Sequence, residues 1–363
     1  MVGRRCCAPG LEAAQQRSPT VEPSLISLIE TRLLAVSRNL KSLKMKIDKF
    51  SLTVCAAVLA PGAAFGCACG CGVFDVATQS MLPQGPGCVF FAEYNYMDQN
   101  INWSGGKPAP AANNGDKDIR TDFTTYGLQY LFNRSWGAQI ELPYDFRHYT
   151  ANFGAGSTSW STLGDVRLEG IYTGFSPDLS AGVTFGLKLP TGNDNHDLPS
   201  LIDRDTEIGT GSTDMLLGGF YRHTLNSITS GLYWFAQLQT DVPVLTQGGY
   251  RPGVEVDTSL GLYYQGLKLG RVNITPVAQV IPTYRSKDTG PWASGGVNDP
   301  GVNPKDPTEV DSGYHRMLLS PGIEFDIHPV MIYADAEFDD LQWSKGNQLV
   351  APILFKVVVS YSF

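Results

Sequence analysis

Three cysteines occur at alternate positions, a spacing that could support metal chemistry. Cys67, Cys69 and Cys71 are separated only by single small residues. Thiolates suit soft ions such as Cu(I), whereas the haem pattern C-x-x-C-H and the paired zinc pattern C-x-x-C do not occur in this stretch. In an oxidising compartment a disulfide, for instance with Cys88, is the alternative. The sequence therefore predicts either a copper site or a disulfide here, and we expect no other cofactor.

A second candidate site consists of acidic residues in a polar stretch. Asp203, Asp205 and Glu207 alternate with other residues, shortly after Asp194-Asn195-His196-Asp197. Hard cations such as calcium bind carboxylate and carbonyl oxygens, so this run could hold a cation in a loop. The glycine and the spacing of an EF-hand are missing, and a solvated loop is the alternative interpretation.

Histidines and nucleophiles form no recognisable catalytic pattern. None of the five His residues lies in an H-E-x-x-H or Cys-His context, and the sequence contains no G-x-S-x-G. We therefore expect a protein that is not an enzyme.

The composition indicates which elements must position these residues. Aromatic residues make up 11% of the chain and there are 39 glycines, while charged residues reach only 17% and the mean hydropathy is -0.10. Such a composition is typical of many strands and turns. No run of about 18 apolar residues occurs in the body of the chain, so transmembrane helices are not expected there. A closed barrel is the other structure that satisfies every backbone hydrogen bond inside a bilayer.

Twelve segments with period-two alternation begin at Cys88. In the fifth, Val183, Phe185 and Leu187 alternate with small or polar residues, including Lys188, so that one face is apolar. Each segment could span a bilayer as a tilted strand, and an even number is typical of bacterial barrels. A soluble β-sandwich would also alternate. We predict an all-β fold, a twelve-stranded antiparallel transmembrane β-barrel of outer-membrane type, with strands near residues 88–98, 121–132, 136–147, 162–174, 179–190, 213–225, 229–242, 251–265, 271–284, 313–327, 330–343 and 349–363.

The lengths of the links favour the barrel over the sandwich. Links after odd-numbered segments are long or medium, whereas those after even-numbered segments are short turns such as Asn133-Arg134-Ser135 and His328-Pro329. Outer-membrane barrels have short periplasmic turns and longer outer loops. We therefore expect both termini in the periplasm, with the long loops 98–120, 191–212 and 285–312 gating entry from outside.

The N-terminal region predicts export and processing. From Met45 a short basic stretch, an apolar run and a small-residue tail have the layout of a secretory signal that is cleaved after Gly66. We therefore expect a mis-called or dispensable extension at 1–44, a signal peptide at 45–66, a Cys- and Gly-rich periplasmic segment at 67–87 and the barrel at 88–363. A lipid on Cys67, or a short buried helix in place of the signal, are the alternatives.

The charge changes at the same boundary. Residues 1–66 contain nine Lys or Arg and four Asp or Glu, and subtracting these from the 27 and 35 of the whole chain leaves 18 basic and 31 acidic residues. A mature chain with a net charge of -13 is a poor ligand for nucleic acid, so no nucleic-acid partner is expected.

The polar face of the predicted strands is mainly acidic. If the apolar faces contact lipid, the polar faces line a lumen in which carboxylates favour cations over anions. The alternative is that these charges only keep the inner wall polar. We predict that selectivity is set by Glu255, Asp257, Glu324, Asp326, Asp335 and Glu337, together with Arg167 and Lys188.

Two short motifs resemble a known family. Gly186-Leu187-Lys188-Leu189-Pro190-Thr191-Gly192 is followed by Gly209-Thr210-Gly211-Ser212-Thr213-Asp214, and the pair resembles the outer-membrane transporter family named for the meta pathway of phenol degradation. The resemblance implies a barrel that admits small hydrophobic or aromatic compounds. The layout of all twelve segments agrees with that family, whereas the likeness in motif covers only this loop region.

These observations lead to one functional expectation and one rival. We expect a monomeric channel or transporter in the outer membrane of a Gram-negative-type bacterium, surrounded by outer-membrane lipid, that moves small solutes passively. Phe363, two residues after Tyr361, resembles the signature read by the barrel-assembly machinery. The rival is a plugged barrel whose Cys-rich N-terminus binds copper or acts in adhesion.

Overall fold

The computed structural model describes residues 85–152, 156–196, 202–290 and 312–363. Contacts divide the chain into two units, Met1–Gly62 and Ala63–Phe363, and every described residue belongs to the second. Among these residues, no helix is long and apolar enough to cross a membrane. The predicted processing site and the cysteines Cys67, Cys69 and Cys71 lie outside the described residues, so they stay predictions.

Strands make up most of the described chain, and all of them belong to one antiparallel sheet. In chain order they are β1 (Gly87–Gln99), β2 (Ile101–Gly105), β3 (Lys107–Pro108), β4 (Asp116–Leu131), β5 (Trp136–Ala151), β6 (Ser157–Leu163), β7 (Val166–Tyr172), β8 (Ala181–Leu189), β9 (Ser212–Thr224), β10 (Leu232–Thr246), β11 (Glu255–Tyr264), β12 (Leu267–Leu269), β13 (Val272–Arg285), β14 (Tyr314–Ile327), β15 (Val330–Val350) and β16 (Ile353–Ser362).

The sheet closes into a barrel because its first and last strands pair. Phe91 in β1 lies opposite Gly127 in β4 on one side and opposite Ser360 in β16 on the other. Around the wall the order is β1, β4, β5, β7, β8, β9, β10, β11, β13, β14, β15 and β16. The described wall therefore has twelve strands, which confirms the predicted fold.

Four short strands extend this wall without adding to the twelve strands around the barrel. β6 pairs with β5 and leads into β7, from which it is separated by Gly164 and Asp165. β12 continues β11 along β13. β2 and β3 form a hairpin whose first strand pairs with the far end of β15, as in the pair Ser344 and Gly105.

The outer surface of the barrel is apolar because alternate side chains of each strand point outward. In β16, Phe355, Val357 and Val359 are exposed, whereas Lys356, Val358 and Ser360, which alternate with them, are buried. The same alternation occurs in β8 and other wall strands. An apolar outer band and a closed ladder of hydrogen bonds are what a strand-built wall needs in lipid.

Both ends of the described chain lie at one end of the barrel, which we call the terminus end. The backbone N–H of Phe363 donates a 2.9 Å hydrogen bond to the carbonyl of Cys88. The turns 132–135 and 328–329 lie at this end, as predicted. The opposite end, which we call the loop end, carries the long links 100–115, 190–211 and 286–313.

The predicted sorting of the links, with short ones at the terminus end and longer ones at the loop end, is only partly correct. At the loop end, links 152–156 and 351–352 are shorter than predicted, because β5 and β15 continue beyond the segments that alternate clearly. The far part of β15 finds a partner in β2, which prolongs the ladder. At the terminus end, links 173–180 and 225–231 are longer than simple turns.

Candidate functional site

Charged side chains are concentrated on the inner wall of the barrel. Of the eight residues predicted to set selectivity, seven are buried and Asp326 is half-buried. Since the exposed faces are apolar, these side chains face the lumen. Within the described strands, nine carboxylates and five cations are buried: Glu93, Asp145, Asp214, Asp241, Glu255, Asp257, Glu324, Asp335 and Glu337 against Arg147, Arg167, Lys188, Arg285 and Lys356.

Lys188 is the centre of one buried charge cluster. Its Nζ lies 2.6 Å from Oδ2 of Asp214 in β9 and 2.6 Å from Oδ2 of Asp241 in β10. Arg167 in β7 approaches the same oxygen of Asp241 at 3.5 Å. The cluster joins four consecutive wall strands. Sequence reasoning found Lys188 and Arg167 but missed both carboxylates, although Asp214 ends the second family-like motif.

Arg285 is the centre of a second cluster, near the loop end. Its guanidinium lies 3.6 Å from Glu255 Oε2 and 3.2 Å from Asp288 Oδ1. Asp288 also accepts hydrogen bonds from the hydroxyl of Tyr250, at 3.0 Å, and the backbone N–H of Gly253, at 2.6 Å. Arg285 and Asp288 were not predicted, since both lie at or beyond the edge of the ninth segment.

The carboxylates of β14 and β15 differ in how they are held. Glu337 lies 3.4 Å from Nζ of Lys356. Asp335 accepts hydrogen bonds from the hydroxyls of Tyr333 and Ser320, both at 2.8 Å. In the described part of the chain, no ion pair within 4 Å joins Glu324 to a basic side chain, and its Oε2 has no hydrogen-bond partner.

One side of the lumen near the terminus end is apolar and aromatic. Strands β10, β11, β13, β15, β16 and β1 contribute a buried cluster in which Tyr233 and Tyr263 stack in parallel, with ring centroids 4.8 Å apart. Glycine makes room for one of its rings, because a Cβ on Gly127 would lie 1.9 Å from Cζ of Phe91. The buried members are Phe91, Phe235, Tyr263, Val277, Tyr333 and Val358.

The other side of the lumen carries amides and carboxylates at a similar depth. Gln129 donates to Gln139 at 2.8 Å, and Gln139 donates to Glu141 at 2.7 Å. Gln239 donates to Glu169 at 3.0 Å. These side chains lie on strands other than those that carry the aromatic cluster, apart from β10, which contributes to both.

Part of the long link 190–211 is buried at the loop end. Every residue of 202–211 except Asp203 is buried, and we call these ten residues the mouth segment. Ile202 and Ile208 pack in a buried apolar cluster with residues of the wall, Ile119, Tyr149, Ala151, Trp160 and Leu349. Links usually lie on the surface, since buried backbone groups need partners.

Asp165 joins the two family-like motifs to each other. Its Oδ1 accepts a 2.9 Å hydrogen bond from the backbone N–H of Gly192, and its Oδ2 accepts one of 2.8 Å from the N–H of Thr210. Gly192 and Gly209 touch so closely that a Cβ on Gly209 would lie 2.4 Å from the carbonyl carbon of Gly192. The motif glycines therefore permit the two limbs of this link to pack together.

Two arginines hold the mouth segment from different sides. Arg147 in β5 donates to the carbonyl oxygen of Thr206 at 2.6 Å and to that of Glu207 at 3.2 Å. Arg204 within the segment forms an ion pair with Asp194, and its guanidinium carbon lies 5.1 Å from the ring centroid of Tyr250. Because β5 and the β10–β11 link, which contains Tyr250, lie on different sides of the ring of strands, the segment crosses the mouth.

Glu207 is the most unusual group in this segment. Its side chain is 1% exposed, and neither carboxylate oxygen has a hydrogen-bond partner of good geometry. Burial raises the pKa of Glu207 to about 8, although the backbone N–H of His196 and the charges of Arg204 and Arg147 lower it in part. Glu207 is therefore mostly protonated at neutral pH.

The acids of the predicted loop cation site differ in burial. Asp205, two residues before Glu207, is buried, while Asp203 is half-buried. Among the described residues, no three His, Cys, Asp or Glu side chains come together in a group that could hold a metal ion. Cys88 is a free thiol. Calcium at Asp203, Asp205 and Glu207 stays a prediction.

Three solved structures are similar to this chain. An outer membrane channel from Pseudomonas putida F1 aligns with a TM-score of 0.55 and 12% identity, over 78% of this chain and 97% of that chain. The beta domain of the Bordetella autotransporter BrkA aligns with a TM-score of 0.46 and 15% identity, over 76% of this chain and 100% of that chain. A FadL homologue from Pseudomonas aeruginosa aligns with a TM-score of 0.40 and 11% identity, over 83% of this chain and 99% of that chain. No protein-family model matches the sequence, and no curated protein matches it.

At 12% identity, the likeness to the Pseudomonas putida channel shows the fold alone. Together with the closed twelve-stranded wall and its apolar outer surface, it defines the class of protein: the chain is an outer-membrane β-barrel. Its narrower role depends on what the lumen and the mouth segment do.

Proposed function

We propose that this barrel is a channel for passive uptake of small solutes across the outer membrane, with a lumen that favours cations. The observation that carries the proposal is the inner wall, where nine buried carboxylates stand against five buried cations in the described strands. Fixed negative charge raises the local concentration of cations and lowers that of anions. A wall that only needed to be polar would require no excess of either sign.

Two carboxylates without an ion pair lie on β14. Lys188, Arg285 and Lys356 each lie against carboxylates, so these clusters are close to balanced. Glu324 and Asp326 form no ion pair with a basic side chain in the described part of the chain. We therefore assign the main selectivity to these two residues, with a secondary role for Asp257.

The aromatic cluster in the lumen supports small aromatic or hydrophobic compounds as solutes, as the family resemblance implies. Stacked rings such as Tyr233 and Tyr263 offer a face for a planar apolar molecule. The amides of Gln139 and Gln239 on the opposite side could meet a polar edge of such a molecule. We propose a monomer that is inserted by the barrel-assembly machinery and that carries out no reaction.

Planar-bilayer recording tests the selectivity. Purified barrel is placed in a salt gradient, and the reversal potential gives the ratio of cation to anion permeability. Glu324→Gln with Asp326→Asn should lower this ratio about twofold or more, because two uncompensated charges are removed. Asp340→Asn is the matched control, since Asp340 is exposed on β15. Equal ratios in all variants would refute the assignment.

Charge reversal at Asp257 is a useful second variant of this test, whereas charge reversal at Glu337 is not. Glu337 is fully buried beside Lys356, so reversing its charge would place two cations together and test folding instead of selectivity.

The rival function is a plugged barrel, and the buried mouth segment is the observation that favours it. In this case copper binding by Cys67, Cys69 and Cys71 would be the working activity. A folded barrel that is electrically silent, and that binds copper in proportion to protein, would support it. Replacing the three cysteines with Ser should then abolish the binding.

A further inference from the structure

Glu324 is a buried acid on the inner wall near the terminus end. It is 4% exposed, and the register places it between Thr275 of β13 and Tyr333 of β15, which are 3% and 1% exposed. The hydroxyl of Tyr333 donates to Asp335 at 2.8 Å. In the described part of the chain Glu324 forms no ion pair, and its Oε2 accepts no hydrogen bond. Burial of a carboxylate without a cation or a donor is unfavourable, so a positive partner would stabilise this part of the wall.

The charges around Glu324 also favour a cation. Asp326, two residues further along β14, is the charge that acts on Glu324, and it has the same sign. Arg222 of β9 hydrogen-bonds to the hydroxyl of Tyr263. Within the described ranges, no ion pair joins Arg222 to Glu324. A positively charged ligand would therefore meet two carboxylates without displacing a basic side chain from either.

Aromatic rings lie beside this carboxylate. Tyr333, opposite Glu324, belongs to the buried aromatic cluster, and Tyr263 of the same cluster is close enough for the charge of Glu324 to act on its phenol. Tyr263 in turn stacks on Tyr233. The face of an aromatic ring attracts an ammonium group, and its area packs well against another ring.

This chemistry suits an organic cation better than a metal ion. Calcium and magnesium need six or more oxygen ligands, most of them close together. Among the described residues, no three His, Cys, Asp or Glu side chains form a group that could hold a metal ion. One carboxylate next to aromatic rings instead matches a molecule with a single positive charge and an apolar body.

We propose that Glu324, Tyr263 and Tyr333 form a binding site for small aromatic ammonium compounds. The ammonium N–H groups donate to the carboxylate of Glu324, and the aromatic body packs against the two tyrosines. The inference deepens the proposed channel function and rests on it, since it names the class of solute that the cation-favouring lumen takes.

Fluorine NMR with a matched pair of probes tests the site. The probes are para-fluorophenethylammonium and para-fluorophenethyl alcohol, which share the ring and the chain but differ in charge. Each probe is titrated at neutral pH with the folded barrel in lipid nanodiscs, and empty nanodiscs correct for partition into lipid. The broadening of the fluorine signal gives the dissociation constant of each probe.

The ammonium probe should bind the parent barrel about tenfold or more tightly than the alcohol, because it places a charge against a buried carboxylate. Glu324→Gln should weaken binding of the ammonium probe by about tenfold or more and change binding of the alcohol by less than about twofold. Glu324→Asp keeps the charge on a shorter side chain and should retain part of the preference. Asp340→Asn, at an exposed position of β15, is the matched control and should leave both constants unchanged.

No difference between the two probes in the parent, whether both bind or neither, overturns the site, and so does a preference that survives in Glu324→Gln. Binding of the alcohol by Glu324→Gln shows that its lumen is intact. If this variant fails to fold, as judged by loss of heat-modifiable migration on gels, Glu324→Asp replaces it, and an unchanged preference in Glu324→Asp overturns the site.

Bilayer conductance of the same variants separates this inference from the proposed function, because binding at equilibrium requires no net transport. If the preference for the ammonium probe depends on Glu324 but no variant conducts, the site stands and the channel function fails. If the barrel conducts cations while the two probes bind alike, the channel stands and the site fails.

Discussion

The carboxylate of Asp165 binds Thr210 twice, accepting a 2.8 Å hydrogen bond from its backbone N–H and a 2.5 Å bond from its hydroxyl. Asp165 lies just before β7, whereas Thr210 lies at the end of the mouth segment, 45 residues later. The pair therefore ties the far limb of link 190–211 to the wall.

Removing this carboxylate should loosen the mouth segment. In Asp165→Ala the N–H groups of Gly192 and Thr210 lose their acceptor, at a cost of about 1–3 kcal/mol for each buried group. We expect faster tryptic cleavage after Arg204, measured by mass spectrometry of the folded barrel at neutral pH. Asp165→Asn keeps one acceptor oxygen and should be intermediate. Asp178→Ala, in an exposed link at the terminus end, is the control, and equal cleavage in both alanine variants would contradict the role of Asp165.

Removing the ammonium group of the Lys188 cluster should destabilise the wall, because it leaves two buried carboxylates uncompensated. Lys188→Met removes the ammonium group between Asp214 and Asp241, and breaking such a buried group of charges typically costs about 3–5 kcal/mol. Urea unfolding in lipid vesicles, followed by tryptophan fluorescence, measures the loss. Lys268→Met, at an exposed position of β12, should change little. Adding Asp214→Asn to Lys188→Met should recover part of the loss, and no recovery would show that the charges are not its cause.

The aromatic side of the lumen depends on Gly127. A methyl group there would overlap the Phe91 ring, so Gly127→Ala should lower the free energy of unfolding by about 1–3 kcal/mol. Phe91→Ala should remove most of the additional effect of Gly127→Ala in a double-mutant cycle, because the overlapping ring is then gone. Gly85→Ala is the control, since no atom lies within 4 Å of its added Cβ. Strict additivity of the two changes would exclude the overlap.

Lipid contact can be tested by placing a charge on the outer surface. Phe185 faces outward at the centre of β8, so Phe185→Arg should destabilise the barrel by about 2–4 kcal/mol in vesicles, whereas Leu269→Arg at the terminus end should cost about 0–1 kcal/mol. Equal effects at the two positions would argue against a bilayer around the wall.

The strands could be predicted because the residue pattern that identifies each strand lies within the strand itself. Alternation of residues such as Phe185 and Lys188 fixes which face meets lipid, and it needs no knowledge of neighbouring strands. The continuation of β15 to Val350 was not predicted, because its far part is stabilised by β2, a hairpin strand that has no clear pattern of its own.

The arrangement within the lumen was much less predictable. Lys188 was identified as an inward charge, but its partners Asp214 and Asp241 come from two other strands, and only the register brings them to it. Glu207 was predicted either as a cation ligand or as part of a solvated loop, since its neighbours are polar. Its burial depends on Arg147, which lies 60 residues away along the chain.

The seam between β1 and β16 sets the order in which the barrel can be completed. Most neighbouring wall strands follow each other along the chain, whereas the seam joins Val89 to Ser362 and Met97 to Leu354. Until β16 has arrived, β1 and β15 each present an open edge of unpaired N–H and C=O groups, and every such group costs several kcal/mol in hydrocarbon. The seam therefore cannot close before β16 is present, and a chain that stops short of β16 would carry two edges that lipid cannot satisfy.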